Sequence, residues 1–278
     1  MLNQDFMLHV DLYVKGCTAE FYVNDIPVRR MDGEEEHFHS MVAHHLLVDG
    51  KNKLEIIVWP GDTPSKARQK SVLQDPEDRQ GLPKVCARLM RYPVGAFAGD
   101  TKSGQIIMQL NWEFDPQNFI NNPDPYPLAP SLEKDLGKHL GFWYWQQAEP
   151  VNLEIELPLI TQVVKAIHEA FKMGDGQVIT RYCAPYLRDM GKALPAYGET
   201  AFVNDMLRDV SANAGKDDWV EPFLPENHDF RLCGNGRIVE VVDKNWLPTV
   251  RTIPNESGKK YPLAMFLGKI KGKWYVLA

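Results

Sequence analysis

The chain has 278 residues, of which 44% are hydrophobic and 24% charged, and its formal net charge at pH 7 is −6. These values are typical of a globular protein that buries a sizeable core, and the length favours two domains. The mild acidity disfavours nucleic acid and anionic membranes as partners, because both require a basic surface. The sequence has no run of about 18 apolar residues, so we expect no transmembrane helix.

The N-terminal segment and the cysteines bear on the compartment. Residues 1–16 lack a basic head followed by a long apolar run, which favours a cytoplasmic protein, or a periplasmic one from which a signal peptide has been removed. Four cysteines are scattered along the chain outside any metal-binding spacing: Cys17, Cys86, Cys183 and Cys233. We expect packed, reduced thiols, and one disulfide in each half is the alternative.

Alternation of apolar and polar residues predicts an antiparallel β-sandwich over residues 1–115. The first strand is predicted at residues 6–14, and a hairpin is predicted at 18–28 with Asn24 and Asp25 in its turn. Four further strands are predicted at residues 42–47, 54–59, 85–92 and 105–114. Helical patterns are not found between these strands, which is why we favour a sandwich.

Two polar or proline-rich stretches are predicted to connect these elements. Residues 60–81 are polar and are predicted to be a surface insertion. Residues 116–157 begin with five prolines up to position 130 and are predicted to be a linker and aromatic connector that contains the domain boundary. Within this connector, Ser131 is predicted to cap a short helix, and residues 142–145 and 151–157 are predicted to be extended.

Helical periodicity begins near residue 158 and defines the second domain, residues 158–278. The first helix is predicted at 159–171, with Pro158 at its first position and Gly174 just after its end. A second helix is predicted at 177–194, and a third is predicted to begin at an N-cap, Thr200. A meander of strands follows over 229–278, so the sequence predicts an α+β fold with its helices on one face of the sheet.

Three stretches of the second domain carry a family resemblance. They are the helix LPLITQVVKAIHEAFKMGD, the strand pair FRLCGNGRIVEVV and the ending FLGKIKGKWYVLA. In content and order they resemble the NTF2-like (SnoaL-like) cone fold, in which helices pack on a curved antiparallel sheet. The resemblance implies a pocket at the open mouth of the cone. The group includes hydrolases, isomerases, ligand-binding proteins and dimerisation modules, so the fold alone does not choose a function.

The pocket candidates lie on the predicted helices and strands of this domain. They are Tyr182, Tyr186, Asp189, Arg231 and Trp246. The first three are spaced i, i+4 and i+7, on one face of a helix. Arg231 lies opposite Glu240 when residues are counted outward from the turn at Asn235 and Gly236, so a cross-strand ion pair explains both without a ligand.

Histidines and tryptophans in the first half supply two further candidate sites. His37 and His39 would point to the same side of a strand and could bind zinc or nickel, but an exposed polar edge explains them equally, and we expect no metal and no cofactor. Phe142 to Trp145 could form a stacking platform, and packing in a core is the alternative. The sequence has no nucleophile elbow, dinucleotide-binding or phosphate-binding motif, which disfavours those chemistries.

Three functions therefore remain open. The first is non-catalytic binding of a protein partner, by analogy with the immunity and accessory proteins of bacterial toxin systems, which are often acidic and lack motifs. The second is small-ligand binding or acid–base catalysis in the cone pocket. The third is carbohydrate binding by the first half through exposed tryptophans at positions 59, 112, 143 and 145. A homodimer is compatible with each of them.

Overall fold

A computed structural model describes residues 5–31, 36–59, 83–115, 128–212, 214, 216, 219–254 and 262–278. The predicted insertion at 60–81 and the proline-rich part of the connector at 116–127 therefore lie outside the described residues. Contacts between Cα atoms divide the chain into two compact units, Met1–Phe142 and Trp143–Ala278.

Unit 1 (residues 1–142) consists of two four-stranded antiparallel sheets in the part that is described. The strands are β1 (Phe6–Lys15), β2 (Thr18–Val23), β3 (Ile26–Met31), β4 (His37–Val42), β5 (Lys51–Trp59), β6 (Lys84–Pro93), β7 (Gln105–Glu113) and β8 (Ser131–Asp135). One sheet has the order β4-β1-β6-β7 and the other β3-β2-β5-β8. The sheets contact each other, and the alternating residues Leu8, Val10, Leu12 and Val14 of β1 are buried.

Most of the strands predicted in unit 1 are confirmed, and two elements are corrected. Asn24 and Asp25 form the β2–β3 turn with φ of 51° and 65°, which these residue types tolerate better than most. The strand predicted at 42–47 is wrong, because β4 ends at Val42 and a 3₁₀ turn follows at His44–Leu46. The helix predicted after Ser131 is also wrong: residues 131–135 form β8, which pairs with β5.

Unit 2 (residues 143–278) contains three helices and, in its described part, two antiparallel sheets. The helices are α1 (Leu153–Lys172), α2 (Gly176–Ala193) and α3 (Glu199–Ser211). The strands are β9 (His228–Cys233), β10 (Ile238–Asp243), β11 (Val250–Arg251), β12 (Pro262–Leu263), β13 (Phe266–Ile270) and β14 (Lys273–Val276). Four strands form a sheet of order β14-β13-β10-β9, while β11 and β12 pair separately.

The start of α1 differs from the prediction. Asn152 caps the helix, and its side chain accepts hydrogen bonds from the backbone N–H groups of Glu154 and Ile155. The carboxylate of Glu156 accepts in return from the backbone N–H of Asn152, at 3.0 Å. This reciprocal capping stabilises a helix where alternation predicted a strand at 151–157. Pro158 therefore lies inside α1 and not at its first position.

Two further local predictions in unit 2 are corrected. Residues Tyr144–Gln147 form a 3₁₀ turn instead of continuing the strand predicted at 142–145. Helix α3 is capped by Gly198, which has φ of 79°, and not by Thr200. The predicted end of α1 is confirmed, since Gly174 follows it in the left-handed conformation with φ of 68°.

The core of unit 2 lies between the helices and one face of its four-stranded sheet. The helices contribute residues such as Ile160, Val164 and Ile179, and the sheet contributes Val239 and Leu267, all of them fully buried. The described residues therefore confirm an α+β fold with antiparallel sheets. The NTF2-like resemblance stays a prediction.

The sequence also predicts that the chain has no transmembrane helix and that its cysteines are reduced. Within the described part of the chain, no helix is long and apolar enough to cross a membrane. All four cysteines are buried thiols, so neither half contains the alternative disulfide.

The pairing of α2 with α3 depends on Gly191. A Cβ atom at this position would lie 2.5 Å from the backbone nitrogen of Glu199 and 2.7 Å from its Cα. Helix propensity alone predicts that Gly191→Ala stabilises the protein by up to about 1 kcal/mol. We expect the opposite, a loss of about 1–3 kcal/mol in the free energy of unfolding measured with urea, because a backbone cannot move aside as a side chain does. The control is Gln162→Ala at an exposed position of α1, which should change stability little. Stabilisation by Gly191→Ala would contradict the close contact between the helices.

Candidate functional site

A cleft of about 450 Å³ opens where α1 and α2 meet the edge strand β14. Its residues are Val163, Val178, Arg181, Tyr182, Lys273, Trp274 and Tyr275. We call it the β14 cleft. The cleft forms because α2 packs beside β14, which is the edge strand of the sheet. Side chains from the helix and from the strand therefore line the same space.

The β14 cleft combines an apolar and aromatic lining with two cations. Neither Arg181 nor Lys273 has a carboxylate partner among the described residues, and the Arg181 Nε–H donates only to the backbone oxygen of Gln177, at 3.3 Å. The side chain of Trp274 is 6% exposed, and its buried indole N–H has no acceptor in the described part of the chain. This unpaired donor costs free energy, but its nitrogen is buried and out of reach of a ligand in the cleft, so the exposed cations are the polar groups that a ligand could contact.

A second cleft, of about 510 Å³, lies at the C-terminal half of α1. One wall is polar and comes from α1, with Lys165, His168, Glu169 and Lys172. The other wall is apolar, with Val220, Pro222, Phe223 and Ile253. We call it the His168 cleft. It shares no residue with the β14 cleft.

The imidazole of His168 is held in one orientation. Its Nε2–H donates to the backbone oxygen of Glu221 at 2.7 Å, and its Nδ1 lies 3.7 Å from the Glu169 carboxylate. The side chain of Glu221 is in turn held by Arg251, whose Nε–H donates to it at 2.6 Å. When the ring is neutral, it presents Nδ1 as an acceptor beside the carboxylate of Glu169, which is a second acceptor.

The five predicted pocket residues do not converge on one site. Tyr182 lines the β14 cleft, whereas Tyr186 packs against the core, where burial and then Cys183 raise its pKa. Asp189 is 1% exposed and accepts a hydrogen bond from the backbone N–H of Tyr144 at 2.6 Å. The i, i+4, i+7 spacing thus puts the three on one helix face but in three environments.

Arg231 and Trp246 form a structural cluster with Glu240. The predicted cross-strand pair is confirmed: β9 and β10 place Arg231 opposite Glu240, and their charged groups are 3.1 Å apart. The Arg231 guanidinium also lies 3.6 Å from the centre of the Trp246 ring. Since Glu240 is 3% exposed, the ion pair and the stacked ring together compensate for a buried carboxylate.

The other sequence candidates lie in unit 1 or in the aromatic connector. His37 and His39 are on edge strand β4, and no cluster of potential metal ligands is found among the described residues. Burial, and then the charge of Arg29, lowers the pKa of His39. Trp143 and Trp145 are 0% and 5% exposed, which leaves neither ring available as a stacking platform. Trp112 is half-buried, and the Trp59 side chain lies outside the described part.

Unit 1 contains a serine, histidine and aspartate in contact, but in the wrong order for a nucleophile. Ser40 Oγ donates to Asp11 at 2.6 Å, and His9 Nδ1 lies 3.2 Å from Ser40 Oγ. Because the Ser40 proton goes to Asp11, His9 must donate to the serine and cannot accept its proton. The Tyr92 hydroxyl completes the set by donating to Asp11 at 2.5 Å.

Sequence reasoning missed most of the β14 cleft. Arg181, Lys273 and Tyr275 are ordinary polar or aromatic residues on a helix and a terminal strand, and nothing in their spacing connects them. The one available signal was the Gly-Lys-Trp at 272–274, which ends in the buried Trp274. Comparison of the chain with protein-family models, curated proteins and solved structures found no match.

Asp189 makes the stability of unit 2 depend on pH. Burial raises its pKa from an ordinary 3.8 to about 6, against the smaller opposing effects of the Tyr144 N–H and Lys192. The folded state therefore binds this proton more tightly than the unfolded chain, so stability falls as the pH rises from about 4 to about 6, by at most about 3 kcal/mol.

Asp189→Asn keeps an acceptor for the Tyr144 N–H and removes the charge. We expect it to raise the free energy of unfolding at pH 7.5 by up to about 3 kcal/mol and to change it little at pH 4. Urea unfolding at both pH values measures the difference, with the exposed Asp229→Asn as the control. An equal effect at the two pH values would contradict the raised pKa.

Tyr92 supports the buried carboxylate of Asp11, and burial together with this hydrogen bond raises its own pKa to about 12. Tyr92→Phe leaves Asp11, which is 2% exposed, with one donor fewer. We expect a loss of about 1–3 kcal/mol in thermal or urea unfolding of unit 1. Tyr13→Phe, at a half-buried position of β1, is the matched control and should cost clearly less.

Proposed function

We propose that the protein binds a small organic anion with an apolar or aromatic body in the β14 cleft. The observation that carries the proposal is the combination of two exposed cations, Arg181 and Lys273, with an aromatic and aliphatic lining; neither cation has a carboxylate partner among the described residues. A guanidinium and an ammonium are both donors, and a carboxylate or phosphate supplies acceptors for such groups.

The size and lining of the cleft support a small molecule. A volume of about 450 Å³ lies in the range of about 300–1,000 Å³ that ligand pockets occupy. Tyr182, Trp274 and Tyr275 offer aromatic surface, and Val163 and Val178 offer aliphatic surface, for the body of the ligand. A protein partner would instead need about 800 Å² of surface on each side, so the cleft favours the small-ligand hypothesis over the partner-binding one.

The lining also favours binding over acid–base chemistry at this cleft. A general acid and a general base require two titrating groups whose pKa values are pushed apart. The seven lining residues include no carboxylic acid, histidine, cysteine or serine, and the titrating side chains other than Arg181 are two tyrosines and one lysine. The polar groups present can hold and orient an anion, which is what a binding site requires.

The test is isothermal titration of the protein with 2-naphthoate and 1-naphthyl phosphate, and with 2-naphthol as the neutral analogue. We expect the anions to bind and the alcohol to bind at least about tenfold more weakly, since a hydrogen bond to a charged group contributes about 1.5–3 kcal/mol. Arg181→Ala and Lys273→Ala should each weaken anion binding by a similar factor, whereas Lys172→Ala in the other cleft should not. Equal binding of the alcohol would contradict the proposal.

A further inference from the structure

We propose that the His168 cleft binds a free α-amino acid with an apolar side chain, in its zwitterionic form. This site is separate from the β14 cleft and does not depend on the function proposed for it. Three features of the cleft carry the inference: a pair of acceptors, a flanking pair of cations and an apolar wall opposite them.

The acceptor pair consists of His168 Nδ1 and the Glu169 carboxylate, 3.7 Å apart. The Nε2–H of His168 is already used by the backbone oxygen of Glu221, so Nδ1 is the acceptor whenever the ring is neutral. Two acceptors at this distance are bridged well by a single ammonium group, which has three donors. Both residues lie in the last turn and a half of α1, where the negative end of the helix dipole also favours a cation.

The flanking cations are Lys165 and Lys172. They lie three or four residues before and after the acceptor pair, so all four side chains lie along one side of α1. Neither lysine has a carboxylate partner among the described residues. A carboxylate attached to the carbon next to the ammonium group can therefore bind a lysine one helical turn away, while the ammonium stays on the acceptor pair.

The apolar wall faces these charges. Val220, Pro222, Phe223 and Ile253 line it, and the ring of Phe223 lies 6.1 Å from that of His168. Ile253 is 45% exposed, so this wall presents apolar surface that a ligand side chain could cover. The α-amino acid is the smallest common molecule with an ammonium, an adjacent carboxylate and an apolar group in this arrangement.

The test uses L-phenylalanine and L-leucine, with two analogues that each lack one charge: 3-phenylpropanoate and 2-phenylethylamine. Binding is followed through the imidazole ¹⁵N resonances of His168. We expect the amino acids to shift the Nδ1 resonance and to bind at least about tenfold more tightly than either analogue. Equal binding of 3-phenylpropanoate, or no shift with either amino acid up to its solubility limit, would overturn the proposal.

The variants distinguish this site from the β14 cleft. Glu169→Gln and the double variant Lys165→Ala/Lys172→Ala should each weaken phenylalanine binding at least about tenfold, with unchanged thermal unfolding because the replaced side chains are exposed. Arg181→Ala/Lys273→Ala should leave phenylalanine binding unchanged while it removes naphthoate binding. If the Arg181/Lys273 double variant loses phenylalanine binding and the α1 variants keep it, the amino acid binds in the β14 cleft and the proposal is wrong.

Discussion

Unit 2 depends on the pairing of two buried carboxylates with arginines. Both carboxylates lie on β10, an inner strand of the four-stranded sheet. All six residues of β10 are buried, including Glu240 and Asp243. A buried charge is tolerated only when it is paired and hydrogen-bonded. Arg231 from the neighbouring strand pairs with Glu240, and Arg251 lies 2.9 Å from Asp243. The contact between Arg231 and Glu240 fixes the register of β9 against β10. The contact between Arg251 and Asp243 fixes the segment that follows β10.

Both clefts lie at the margins of the helical layer. The inward face of the sheet is filled by apolar side chains such as Val241 and Leu267 packed against the helices. The two clefts open beside this core, where α2 meets the sheet edge and where α1 meets the segment from residue 219 to 224. Arg251 connects the buried carboxylates of β10 with the His168 cleft. Its guanidinium pairs with both Asp243 and Glu221, and the backbone carbonyl of Glu221 orients His168.

Periodicity in the sequence predicts most of the elements but not the clefts. The strands of unit 1, the three helices and the Arg231–Glu240 register follow from local patterns and from the turn at Asn235 and Gly236. The errors fall where a local pattern suits two structures. The leucines after Ser131 have helical spacing, yet this exposed segment pairs with β5, and residues 151–157 alternate like a strand although Asn152 caps a helix. Each cleft brings together elements that are distant in sequence, and no local pattern relates one element to the other.

The four buried thiols allow local opening of each unit to be measured without an added label. Each unit has two of them, Cys17 and Cys86 in the first and Cys183 and Cys233 in the second. Burial raises the pKa of Cys183 to about 12, so this sulfur is protonated as well as inaccessible while its surroundings stay closed. Only the thiolate reacts with alkylating reagents, so modification of each cysteine requires its own part of the fold to open. Mass-resolved alkylation would therefore give separate opening free energies for the two units within a single unmodified chain.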